Sequence, residues 1–267
     1  MRSGREVRYL KLLGIFYRFS FLTELEYRVN FLTNVVMSVF WMAWSIISAT
    51  VFFQLRSSIG GWNYNEVLLV IGLFSMFTGV IEAFFRPNVS NIIEQIREGT
   101  FDFVLVKPVN AQFYASLHSI VVWRIFDIAA GLGIIAYGLR QLNITPTPAQ
   151  ILTFVLMVVL AAVIVYSLWL FMVTLAFWFI KVDNLTEIFT AFYEAGRFPI
   201  SVYRGWLRAL LTFVIPIAFI TTFPAAMLIN RATDLDLGWA ALIAVALFVL
   251  SNRFWNFALR SYSSASS

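Results

Sequence analysis

Thirty-two consecutive residues, 149 to 180, carry no charged side chain. A helix that crosses the hydrocarbon of a bilayer takes roughly 20 residues at about 1.5 Å each. A helix apolar on every face has no place on the surface of a water-soluble fold. The same character recurs along the chain. Residues 29–53 are free of charge, and 66–85, 113–139, 207–229 and 237–259 are apolar with isolated exceptions. Hydrophobic residues make up 61% of the chain and charged ones 12%, whereas a soluble domain carries about 25% charge. The chain therefore reads as an all-α integral membrane protein. It is one transmembrane domain over 1–267, with six transmembrane helices, an N-terminal interfacial helix over 1–28 and a surface helix between spans two and three. The run at 149–180 exceeds the hydrocarbon, so part of it must tilt or lie at the interface.

The basic residues set the orientation. Arg2, Arg5, Arg8, Lys11, Arg18 and Arg28 precede the first span. Arg86, Arg97 and Lys107 lie between the second and third. Lys181, Arg197, Arg204 and Arg208 lie between the fourth and fifth, and Arg253 and Arg260 close the chain. Only Arg56, Arg140 and Arg231 fall on the other side. By the positive-inside rule both termini are cytoplasmic, and six spans are favoured over five or seven. Residues 1–28 do not read as a signal peptide, because the apolar run behind them is too long for an h-region. Tyr9, Leu12, Leu13 and Phe16 repeat at helical spacing, with Arg5, Arg8 and Lys11 on another face, as suits a helix lying on an anionic leaflet.

One segment departs from this oily background. "NIIEQIREGTFDFVLVKP", 91–108, holds Glu94, Arg97, Glu98, Asp102 and Lys107. Pro87 can open a helix and Gly99 can end it. Val89, Ile92, Ile93 and Ile96 form one apolar stripe. Such a helix is about 16 Å long, too short to cross. "FDFVLVKP" is expected to run extended to Pro108. Segment 88–108 thus reads as a short amphipathic helix held at the membrane surface with its polar face in the cytoplasm, either a solvated loop helix or a docking knob.

Three stretches carry a family resemblance. "IREGTFDFVLVKPVNAQF" resembles the segment after the second span in ATP-binding cassette (ABC) type-2 permeases, in particular the six-span bacterial branch of ABC-2 family transporter proteins. "GRFPISVYRGWLRALLTFVIPIAFITTFPAAML", 196–228, is similar to that branch's fifth span, and "FWNFALRSYSSASS" to its C-terminal end. The resemblance implies a permease subunit of an exporter in the bacterial inner (plasma) membrane. It also implies pairing with a second copy or a related six-span permease, and docking on a cytosolic ABC ATPase dimer. ATP and Mg would sit on that partner, with no cofactor on this chain and no nucleic acid involved. The coupling-helix role would fall on Asn91, Glu94, Gln95, Arg97, Glu98 and Gly99, with Asp102 and Lys107 behind them. A short, partly re-entrant extracellular piece follows span five in the family. "TTFPAAMLI" matches its position, and Pro216 and Pro224 would break the helix near that extracellular gate.

Other chemistry finds little support. No G-x-x-x-x-G-K-[ST] motif is present, since none of Lys11, Lys107 and Lys181 follows a Gly, so the chain lacks its own phosphate loop. There is no Cys and one histidine, His118, which excludes thiolate chemistry and a histidine metal triad within one chain. Arg124 and Asp127 lie inside the third span at i, i+3, and Glu82 near the cytoplasmic end of the second span can reach Arg124. Buried membrane charge needs partners. The three read as a charge clamp between the arms of the coupling helix, with a place on the transport path left open. The alternative to an ATP-driven permease is an ATP-independent secondary transporter or channel, which calls for acids deep in several spans.

Overall fold

The computed structural model describes residues 3–26, 28–179 and 183–262. It is 81% helical. Helices α1 (Ser3–Glu26) and α2 (Arg28–Leu55) are followed by α3 (Tyr64–Val80), a π-helical turn (Ile81–Phe85), α4 (Arg86–Arg97), α5 (Asp102–Leu105), α6 (Ala111–Leu117) and α7 (Ile125–Gln141). Then come α8 (Pro148–Leu175), α9 (Asp183–Glu194), α10 (Gly205–Ala209), α11 (Thr222–Leu228) and α12 (Asp234–Ser261).

Helices α3, α8 and α12 begin alike. Asn63 with Glu66, Thr147 with Gln150 and Thr233 with Asp236 each form a capping box, in which side chain and backbone exchange hydrogen bonds across the first turn. All three starts lie on one face of the bundle. Arg231 pairs with Glu66 at 2.7 Å and donates to the Gly61 carbonyl at 2.8 Å, and Gln150 donates to Asn230 at 2.8 Å. We call this the Gly60 face and its opposite the Arg97 face.

The tightest seam joins α3 to α7. Gly72 on α3 meets Gly131 on α7, so close that a Cβ on Gly131 would stand 2.5 Å from the Gly72 carbonyl oxygen, while Gly79 lies against Asp127 and Ile128 and Gly138 against Leu69. Small residues permit such contact in bilayers, where no hydrophobic force drives helices together. Helix α2, by contrast, is sparsely packed. Val29, Leu32, Val36, Phe40, Trp44, Ile47, Val51 and Leu55 are all exposed and form one stripe along the helix.

Four expectations are corrected. First, the coupling segment is no separate surface helix. From Tyr64 to Arg97 the chain is one helix of 34 residues, about 51 Å long against roughly 30 Å of hydrocarbon. Pro87 does stand in the first turn of α4, as a helix-opening proline should, but α4 continues α3 through the wider π turn and does not lie apart from it. Second, "FDFVLVKP" is not extended. Gly99, at φ 72°, reverses the chain, and Asp102–Leu105 forms a helical turn.

Third, the span expected over 113–139 is broken. Helix α6 stops at Leu117 and the crossing begins at Val122. Fourth, 207–229 is not the fifth crossing. Ser201 donates to the Gly60 carbonyl at 2.6 Å, just before the helices of 205–214, and Arg231 bonds Gly61 just after those of 217–228. The pair is bent by 65°. It enters and leaves on the Gly60 face, which makes it a re-entrant hairpin. The fifth crossing is instead α9 with residues 195–202. Its rings mark the ascent: Phe189 meets Trp169 low on α8, Tyr193 stacks on Phe74 in mid-α3, and Phe198 meets Phe52 near the end of α2. Among the described residues five helices are long and apolar enough to cross a membrane, within α2, α3–α4, Val122–Gln141, α8 and α12, and α9 with residues 195–202 ascends beside them as the sixth.

Of the two prolines expected to break this region, only Pro216 does so, between the helical stretches ending at Val214 and starting at Ile217. Pro224 is the third residue of α11, where its missing N–H is an orphan of the first turn. Helix α8 ends at Leu175, short of the expected 180, a limit whose last residue lies outside the described residues.

Candidate functional site

The projecting end of the α3–α4 helix and its return form the first part of the site. Glu98 caps α4, and Phe101 N–H donates back to the Gln95 carbonyl at 3.1 Å, closing the turn. Phe101 is fully buried, edge-on to Phe177 at 5.4 Å, Tyr262 at 5.6 Å and Trp255 at 6.4 Å. The tip is thereby pinned to the ends of α8 and α12.

The eight residues expected to dock divide. Glu94, Arg97, Glu98 and Lys107 are exposed. Lys107 holds its ammonium 3.9 Å from the centre of the Tyr114 ring. Asn91 faces the inside of the loop, its amide 3.3 Å from His118 Nε2, while His118 Nδ1 lies 3.1 Å from the Tyr114 carbonyl. This places the imidazole as the neutral tautomer that donates from Nδ1 and accepts at Nε2. Gln95 buries its side-chain oxygen, Asp102 is half-buried beside Tyr262, and Gly99 serves the reversal. The polar list misses three apolar residues that this turn pushes outward. Phe103 is 72% exposed and Val106 82%, with Leu105 between them. Alternation of buried and exposed apolar residues in a helical turn left no signal that an extended reading could find.

The second part is where α7 begins. Glu82, in the π turn, accepts from Arg124 at 3.2 Å and from Arg86 at 2.7 Å, and Arg124 reaches Asp127 at 2.9 Å. Arg86 also approaches Glu187 of α9 at 3.5 Å, and the Arg124 guanidinium covers the Trp123 ring at 4.0 Å. The three residues of the expected clamp thus converge. Arg86 and Glu187 extend the network to the fifth crossing. Arg86 stands four residues after Glu82 and was visible in the sequence; Glu187 was not.

The third part is a cleft of about 540 Å³ between α2 and α3. Trp41, Phe74, Trp123, Met37 and Met42 give it apolar walls, and Ser38, Ser45, Ser75 and Thr78 supply hydroxyls. Two i, i+3 ion pairs, Arg124–Asp127 and Arg197–Glu194, border it. Arg197 was expected in a cytoplasmic loop. It lies instead at the level of mid-α3, over Phe74 at 5.1 Å. Among the described residues no three His, Cys, Asp or Glu converge as metal ligands.

The family model described as ABC-2 family transporter protein matches residues 39–266. No curated protein and no solved structure matches the chain.

Proposed function

The chain belongs to the ABC-2 family of transporter proteins, and on that premise we propose that it is the permease subunit of an ATP-driven exporter, powered by a separate cytosolic ABC ATPase dimer that binds ATP and Mg. The observation that carries this reading is the overhang of the 34-residue helix Tyr64–Arg97. About 20 Å of it stands clear of the hydrocarbon. It ends in the exposed apolar residues Phe103, Leu105 and Val106, rimmed by Glu94, Arg97, Glu98 and Lys107. An apolar knob with a charged rim is the form that seats in a groove on a soluble partner.

The distribution of basic residues over the two faces supports an orientation. Among the described residues, Arg5, Arg8, Lys11, Arg18, Arg28, Arg86, Arg97, Lys107, Arg253 and Arg260 belong to the Arg97 side. Arg56, Arg140, Arg204, Arg208 and Arg231 belong to the Gly60 side. The excess of base makes the Arg97 face cytoplasmic, in a bacterial inner membrane, and the re-entrant hairpin periplasmic. The α2–α3 cleft, with aromatic walls and hydroxyls, suits an amphipathic substrate. Its sparse α2 wall offers a surface for lipid or for a second permease, another copy or a related one. An ATP-independent carrier would need acids free to load and release protons. Glu82, Asp127 and Glu194 are each paired with an arginine, which disfavours it.

The test is co-expression with the candidate ATPase followed by co-purification. Phe103→Glu and Val106→Glu, with Arg97→Glu, release the ATPase from a permease that stays monodisperse. Undiminished association of all three variants refutes the docking assignment.

A further inference from the structure

The break before α7 leaves six successive backbone amides, 118 to 123, outside a long helix and partly buried, where an unbonded amide is costly. Each finds an acceptor, and the acceptors come from four elements. His118 N–H donates to the Tyr114 carbonyl of α6 at 3.2 Å and Ser119 N–H to the Asn88 side chain of α4 at 3.0 Å. Val121 N–H donates to the Ala83 carbonyl at 3.0 Å. That carbonyl lies in the π turn, whose altered ladder leaves acceptors available. The remaining three go to α1: Ile120 N–H to Ser20 Oγ at 3.3 Å, Val122 N–H to Glu24 Oε1 at 2.7 Å and Trp123 N–H to Glu24 Oε2 at 3.2 Å.

Glu24 therefore spends both carboxylate oxygens on the first amides of the third crossing. A carboxylate there meets the positive end of the helix dipole as well as two N–H groups. Burial pushes the Glu24 carboxyl up while the two amide bonds pull it down, so the cap offsets a real desolvation cost. Helix α1 is further keyed to the coupling arms by Tyr9 against Phe113 at 4.7 Å, Phe16 against Tyr114 at 5.9 Å and Tyr17 against Phe84 at 6.5 Å. Part of the apolar stripe expected to face lipid faces protein instead.

We propose that Glu24 is a positioning residue for energy coupling: it latches the N-terminal helix onto the start of α7, so that α1 and the third crossing move with the coupling tip as one body. The inference rests on the permease reading for its functional half and on geometry alone for its structural half.

Two measurements separate these halves. The first is amide hydrogen exchange on the purified permease alone. Glu24→Ala, and the near-isosteric Glu24→Gln, raise exchange at Val122 and Trp123 by about tenfold or more, while α8 amides stay protected. Equal exchange in wild type and both variants overturns the latch, whatever the permease does with an ATPase. The second uses the cysteine-free background. Spin labels at Gln141→Cys, ending α7, and Leu235→Cys, opening α12, report a distance change when the complex with the ATPase is trapped with ATP and vanadate. Glu24→Gln keeps the ATPase bound and hydrolysing but abolishes that change. An undiminished change in Glu24→Gln overturns the coupling role. Absence of any ATPase complex in wild type instead refutes the permease reading and the coupling role, leaving the latch to the exchange result.

Discussion

Gly131→Ala is the sharpest probe of the seam on which both arms of the coupling tip depend. An added Cβ at this position stands 2.5 Å from the Gly72 carbonyl oxygen and 2.6 Å from the Met76 nitrogen. Ordinary contact begins near 3.4 Å, so α3 and α7 must separate by about 0.9 Å. Both obstacles are backbone, and no side chain can swing aside. Overpacking of this kind costs about 1–3 kcal/mol, and the rigid contact puts this site at about 3. That is roughly a hundredfold in the folding equilibrium. Gly133→Ala makes the same chemical change two residues away, where nothing lies within 4 Å. It costs nothing, or gains up to about 1 kcal/mol from helix propensity. The assay is reversible unfolding in mixed micelles of each purified variant. A Gly131→Ala midpoint well below wild type, with Gly133→Ala at or above it, is expected. Equal midpoints for the two variants would refute the close seam.

Three further outcomes are expected. Phe101→Ala empties a fully buried ring site among Phe177, Trp255 and Tyr262, costs about 3–5 kcal/mol, and exposes 98–107 to limited proteolysis. Arg231→Ala strands the carboxylate of Glu66, whose side chain is 9% exposed. It destabilises by about 1–3 kcal/mol, and thermal midpoints recover in part when Glu66→Gln is added. Burial holds the His118 imidazole below its ordinary value, the Tyr114 carbonyl opposes that shift, and the charge of Lys107 adds to it. The folded chain therefore takes this proton less readily than the unfolded one. The His118 contribution is full above pH ~6.5 and declines as pH falls from there toward the lowered folded value. Thermal midpoints between pH 7.5 and 5.5 fall less steeply in His118→Gln.

The hydropathy of the chain made the class and five of the spans legible, the third with a misplaced start, and it misled at the fifth for a physical reason. Residues 207–229 are nearly uncharged, while 183–202 hold Asp183, Glu187, Glu194 and Arg197. A sliding window penalises each charge singly. The fold instead pairs Glu194 with Arg197 and brings Glu187 to Arg86, so the charged segment crosses and the oily one folds back at Pro216. The convergence of Glu82, Arg124 and Asp127 was legible because i, i+3 spacing and antiparallel neighbours are both sequence properties. The Glu24 cap was not: its partners lie 98 and 99 positions away. Nothing local marks a glutamate as the cap of a distant helix. Nor did the break at 118–121 carry a Pro or Gly; it exists because outside acceptors replace the helical ladder there.

Site-specific labelling in intact membranes tests the account most directly. Single cysteines are placed at Phe103 on the tip and Arg204 at the mouth of the hairpin, and each is challenged with an impermeant thiol reagent and with a short bifunctional cross-linker. The account predicts that position 204 is labelled from the periplasm. Position 103 is reached only from the cytoplasm, is shielded by the co-expressed ATPase and cross-links to it. Labelling of both positions from one side, or a position 103 that the ATPase neither shields nor captures, contradicts it.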